Sequence, residues 1–209
     1  YWVRVLLLED IKDCTITVSS PFSVINPETQ AVESRFSRFG ESISALVAGK
    51  RFLIGGKPYD GRQLVILPDQ PHIFNFNGDD YRGKLKLVIS EDGKSFDAIN
   101  VIPLEPYLAG VIGAEMPDYW EPAALQAQAI AARTYCLYIK DNFGTSRSWD
   151  LKRTQANQVY LGVKAESSLV WEAVERTKGQ VLSCEQSGHK AIFPTYYSST
   201  CGGHTENSK

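Results

Sequence analysis

Excess charge of either sign is missing from these 209 residues: 24 acidic and 22 basic side chains leave a formal net charge of −2, and each half is close to neutral. No basic face is evident, so nucleic-acid binding gets little support. No apolar run approaches the length that crosses a bilayer. Internal repeats and low-complexity segments are lacking as well, which argues against a solenoid or a linker. Cysteine is sparse: Cys14, Cys136, Cys184 and Cys201 permit bridges in an oxidising compartment but do not fix their connectivity. What remains is a chain with 43% hydrophobic residues, enough to bury a sizeable core as one domain or two small ones.

Periodicity divides the chain. Residues 1–100 carry short strand-like runs at 3–8, 15–18, 51–54, 64–67 and 85–89. Turn signals at Gly55-Gly56, Asp60-Gly61 and Asp92-Gly93 separate them. Residues 101–209 read as helical, with a terminal β-hairpin pairing 180–184 with 191–199. The expected class is α+β, a β-rich N-terminal region before a helical region, as two regions or one continuous domain. Three helices are predicted. The first spans Leu104 to Glu115 and is stopped by Met116-Pro117. The second starts at Pro122 and ends near Gly144. The third runs near 169–178, capped by Ser167 or Ser168 and ended by Gly179.

Glu115 stands out on the first helix. At about 100° per residue, Leu104, Leu108, Val111 and Ile112 gather on one side, and Glu115 falls in their middle. A carboxylate there is expected to be partly desolvated and to lie at the negative end of the helix dipole. Both effects favour the protonated form, which a general acid needs. The second helix is apolar nearly all round, interrupted before Lys140 by Gln126, Gln128 and Arg133. Gln126 and Arg133 are seven apart and point the same way. A guanidinium on such a helix either pairs with an acid that holds two helices together or lines a binding cleft.

Six stretches in order carry a resemblance: Leu104-Glu105-Pro106-Tyr107-Leu108, Glu115-Met116-Pro117, Ala127-Gln128-Ala129, Ala132-Arg133-Thr134-Tyr135, Gln158-Val159-Tyr160-Leu161-Gly162 and Gly202-Gly203-His204-Thr205-Glu206. Together they resemble the stage II sporulation protein D family, also called the amidase enhancer or LytB-type domain, over roughly residues 81–206. The resemblance implies an exported or membrane-anchored envelope protein whose targeting segment is not among these residues. It further implies a lytic transglycosylase that cuts peptidoglycan glycan strands between N-acetylmuramic acid and N-acetylglucosamine and leaves 1,6-anhydro ends. The motif glutamate carries over to Glu115 as the catalytic acid, and the motif arginine to Arg133, expected to contact substrate.

Further substrate contacts are expected from Gln126, Gln128, Tyr197, Ser199, Gly202, Gly203, Thr205 and Glu206, with Tyr196 or Tyr197 stacking a sugar ring. Gln158 and Tyr160 are as readily scaffold as contact. Two departures stand out. Gln126 replaces a lysine found in many members. Residues 150–157 lack the cysteines and histidines that bind metal in some, so no zinc requirement and no cofactor is carried over. The C-terminal Cys184, His189, Cys201 and His204 have a generic spacing that fits a disulfide or free thiols better than zinc. Glycan strands are the implied partner, with a cell-wall amidase as a second. The competing reading is a non-enzymatic glycan-binding module that stimulates such an amidase.

Overall fold

A computed structural model describes residues 1–37, 40–186, 188–198 and 203, apart from the side chains of Thr145 and Gln186. The architecture is α+β, β-rich in its N-terminal part and closed by a short C-terminal hairpin. Twelve strands precede the first helix: β1 (Trp2–Ile11), β2 (Asp13–Val18), β3 (Phe22–Ile25), β4 (Val32–Phe36), β5 (Ser42–Ala48), β6 (Arg51–Ile54), β7 (Lys57–Tyr59), β8 (Gln63–Pro68), β9 (Ile73–Phe76), β10 (Asp79–Arg82), β11 (Lys84–Ile89) and β12 (Phe96–Pro103). Then come α1 (Leu104–Glu115), α2 (Pro122–Phe143), β13 (Leu151–Lys152), α3 (Ser168–Arg176) and the hairpin β14 (Ser183–Gln186) with β15 (His189–Ile192).

Two sheets build the β part. One has the order β13-β1-β12-β11-β8-β3-β4 and the other β10-β9-β2-β5-β6-β7. Alternation along β11, with Leu85, Leu87 and Ile89 buried and Lys84, Lys86 and Val88 half-buried, is the pattern of a strand with one face on a core. The inward sides of both sheets share a single apolar core with the helices. It includes Val5, Ile16, Phe52, Leu87, Leu108 and Ala129, and Phe52 meets Phe96 edge-on at 5.7 Å.

β12 runs straight into α1, whose first N–H donates to the Tyr1 carbonyl at 3.1 Å. Strand β13 adds in parallel to β1, bringing Leu151 beside Val5 and so carrying the residues after α2 back onto the sheet. Two glycines let that returning chain lie directly on α1. A Cβ at Gly110 would come within 2.5 Å of the Tyr160 ring, and one at Gly113 would overlap the Ala165 carbonyl. The three helices start and stop close to their predicted ends. Ser167 caps α3 by accepting from the Val170 N–H at 3.3 Å, and Gly179 takes φ +73° beyond it.

The hairpin differs from expectation. It pairs only Ser183–Gln186 with His189–Ile192, and residues 193–198 form no strand. Pro194 has no N–H for a ladder, so pairing stops at Ile192. The chain instead follows α2: Thr195 donates to the Ala131 carbonyl at 2.7 Å, and Tyr196 lies against Tyr135 with ring centroids 5.9 Å apart.

Candidate functional site

Glu115 is the last residue of α1, and Met116 leaves the helix in an extended conformation at φ −142°, as its position before Pro117 requires. The apolar stripe beneath it is buried as predicted, but Glu115 itself is exposed. This corrects the expectation of a desolvated carboxylate. The core that covers Leu108, Val111 and Ile112 ends one turn earlier, and the helix carries its last side chain past the rim.

The carboxylate is nevertheless fixed. Its Oε1 accepts the backbone N–H of Val159 at 2.8 Å. Val159 sits in a segment anchored on both sides. The Leu161 N–H donates to the Gly110 carbonyl of α1 at 3.2 Å, and the Tyr160 N–H to the Arg153 carbonyl at 3.1 Å. Before it, the fully buried Gln158 side chain accepts from the Tyr107 hydroxyl at 2.9 Å. The Gln158 amide donates to the Ala132 carbonyl at 3.2 Å and to the Tyr197 hydroxyl at 3.1 Å. Gln158 is therefore scaffold, and so is Tyr160, which is buried and donates to Asn100 Oδ1 at 2.8 Å. Both serve to aim one backbone N–H.

Tyr197 belongs to this network. Burial pushes its hydroxyl well above the ordinary phenol range, the Gln158 bond counteracts this, and the nearby negative charge of Glu115 raises it further. The phenol stays neutral, and because it accepts from Gln158 its own O–H is left to donate. Its half-buried ring packs against the core. Of the two tyrosines considered for sugar stacking, Tyr196, 65% exposed, is the one whose ring faces water.

Arg133 is not part of this arrangement. Only 1% exposed, it pairs bidentately with Glu105, Nη2 to Oε2 at 2.6 Å and Nε to Oε1 at 3.2 Å. Its remaining donors go to the carbonyls of Gln180 at 3.2 Å, Val174 at 3.3 Å and Ala129 at 3.4 Å. The expected substrate contact is thereby corrected: every edge of the guanidinium is used in binding α2 to α1 and to α3. Glu105 and Glu115 lie ten residues apart on α1, about 15 Å along its axis, so Arg133 works at the opposite end from the candidate acid.

The two glutamines also part. Two residues on a helix point about 200° apart. Gln126 looks toward α3, in a groove of about 180 Å3 with Tyr119, Trp120, Leu169 and Glu172. Gln128 shares its face with Tyr135, and its buried Nε2 has no hydrogen-bond partner among the described residues. Gly203 is exposed, with φ +100°. Ser199, Gly202, Thr205 and Glu206 lie outside the described residues, as do Cys201 and His204. Among the described residues, Cys14, Cys136 and Cys184 are free thiols. Asp150 is fully buried between Arg4 at 2.5 Å and Lys140 at 3.2 Å.

Reading the sequence missed the Val159 N–H, since any residue type supplies one. It also passed over Tyr119 and Trp120, adjacent aromatics four and five positions after the acid.

Fold and site together define an α+β protein that presents one anchored carboxylate at a helix end, beside a neutral tyrosine. Residues 92–183 match the profile of the Stage II sporulation protein family (SpoIID). The Amidase enhancer of Bacillus subtilis (strain 168) is 38% identical over 164 residues, 77% of this chain and 21% of that protein. Stage II sporulation protein D of the same strain is 35% identical over 127 residues, 54% of this chain and 36% of the relative. The Bacillus amyloliquefaciens protein of that name is 32% identical over 126 residues, with the same coverages. The chain thus spans only 21% to 36% of the length of these relatives.

Proposed function

We propose that this chain acts in the cell envelope as a lytic transglycosylase on peptidoglycan glycan strands, with Glu115 as acid and then base. The observation that carries the reading is the Glu115 carboxylate, accessible to a large substrate yet held at 2.8 Å by the Val159 N–H. The match of residues 92–183 to the SpoIID profile and the relatives' names support a cell-wall role.

One carboxyl suffices for this chemistry, whereas ordinary glycoside hydrolysis uses two. Protonated Glu115 gives its proton to the oxygen linking C1 of N-acetylmuramic acid to the next sugar, and the C1–O bond breaks. The 6-hydroxyl oxygen of the same muramic acid closes on C1, and its proton passes to the Glu115 carboxylate. The acid is restored and a 1,6-anhydro end is formed without water. A seated strand displaces water from the exposed carboxyl, which disfavours its charged form and keeps hydrolysis from competing. Val159 steadies the carboxylate, and the neutral Tyr197 phenol lies within its electrostatic reach.

One observation favours a second reading. An exposed Glu115, with Arg133 committed elsewhere, also suits a non-enzymatic glycan-binding module that stimulates a cell-wall amidase, and the name of one relative points that way. Glu115→Gln separates the two. Anhydro-muropeptide release should fall by roughly 10^2-fold or more if Glu115 is the acid; release at the wild-type rate contradicts the enzymatic reading.

A further inference from the structure

Residues 116–121 join the end of α1 to the start of α2, with Pro117 and Pro122 at their flanks and a turn closed by the Trp120 N–H on the Pro117 carbonyl at 3.2 Å. Two neighbouring aromatic side chains project from this short link, Tyr119 80% exposed and Trp120 49% exposed. Neither ring stacks on another aromatic or on a cation among the described residues. Adjacent uncovered rings of this size mark a surface that something else covers. They stand over the groove between α2 and α3, where Gln126 supplies an amide and Glu172 a carboxylate that is ion-paired with Arg176 at 2.7 Å.

We propose that Tyr119 and Trp120 form a sugar-stacking subsite that grips the glycan strand on one side of Glu115. This rests on the reading of the strand as substrate. A pyranose shows a flat array of C–H groups on its face, which an aromatic ring covers well, and hydroxyl and acetamido groups along its edge. The Gln126 amide can donate to and accept from those edge groups, and Glu172 accepts. The groove holds no uncompensated charge, since Glu172 is already paired, and so it suits a neutral N-acetylhexosamine. Tyr119 lies four positions after Glu115, so their Cα atoms are no more than about 14 Å apart, and the turn shortens that. A strand seated on the acid reaches the rings within a few sugars. The prolines restrict the link beforehand, lowering the entropy lost when it binds.

The test measures binding rather than cleavage. In the Glu115→Gln protein, chitohexaose and peptide-free glycan strands are titrated by calorimetry and by tryptophan fluorescence. Tyr119→Ala and Trp120→Ala should each weaken binding roughly tenfold, and Gln126→Ala by a smaller factor. Tyr1→Ala, 84% exposed beside the other end of α1, should leave it unchanged. In the protein with Glu115 intact, the aromatic variants should raise KM more than they lower kcat. Dissociation constants within twofold of the parent for all three groove variants overturn the subsite, and so does a parent that binds neither probe saturably. Persistent cleavage by Glu115→Gln removes the acid assignment but leaves the binding result to be read on its own.

Discussion

A titratable side chain's neighbours, more than its helical phase, decide what it does in this molecule, and Glu115 and Arg133 show it in opposite directions. The phase of Glu115 on α1 predicts burial, but the core runs out before the last turn, and the carboxylate is anchored by a backbone N–H instead of an apolar wall. Arg133 offers two readings from its sequence position, and the structure shows the pairing one. Replacing Arg133 with Ala strands Glu105 and several carbonyls, and should cost about 3–5 kcal/mol in chemical denaturation. Lysine should not restore it, since one ammonium cannot match the fork. If Arg133→Lys leaves stability intact and raises KM alone, the arginine belongs to the substrate after all. The thiols give a second check. Burial pushes Cys14 up to about 12 and Cys136 well above the usual thiol range, so both stay protonated at neutral pH. Iodoacetamide should modify the half-buried Cys184 of the native protein but spare Cys14 and Cys136, and rapid labelling of either in the folded state contradicts the packing around it.

Elements were legible in the sequence where local chemistry controls them. Pro122 starts α2, Ser167 caps α3, and Asp92-Gly93 turns β11 into β12, all as expected. The hairpin is shorter than expected because Pro194, with no N–H to donate, ends the pairing at Ile192. The contact between α1 and residues 158–165 was not legible either, since it depends on what a missing Cβ leaves room for. Gly113→Ala tests that contact. Because the added methyl meets backbone at Ala165, relief must move the whole segment, which should cost about 1–3 kcal/mol and pull the Val159 N–H away from Glu115. Thermal unfolding should show the loss, and activity should fall further than stability alone explains. A variant with wild-type melting temperature would mean the segment sits elsewhere.

At the scale of the whole molecule, one apolar core runs through both large sheets and the three helices, with β12 feeding α1 and β13 returning to β1. Calorimetry should therefore show a single cooperative transition whose van't Hoff and calorimetric enthalpies agree; two separated transitions would mean the β-rich and helical parts unfold independently. This continuity fixes where α1 ends, and with it the position of the carboxylate. A catalytic Glu115 is the central claim, and the most direct measurement compares muropeptides released from peptide-free glycan strands by the wild-type chain and by Glu115→Gln. Anhydro-ended products from the former, and at most about a hundredth as much from a variant that still folds and binds the strand, is the result expected. Equal yields of anhydro ends from the two proteins would contradict it.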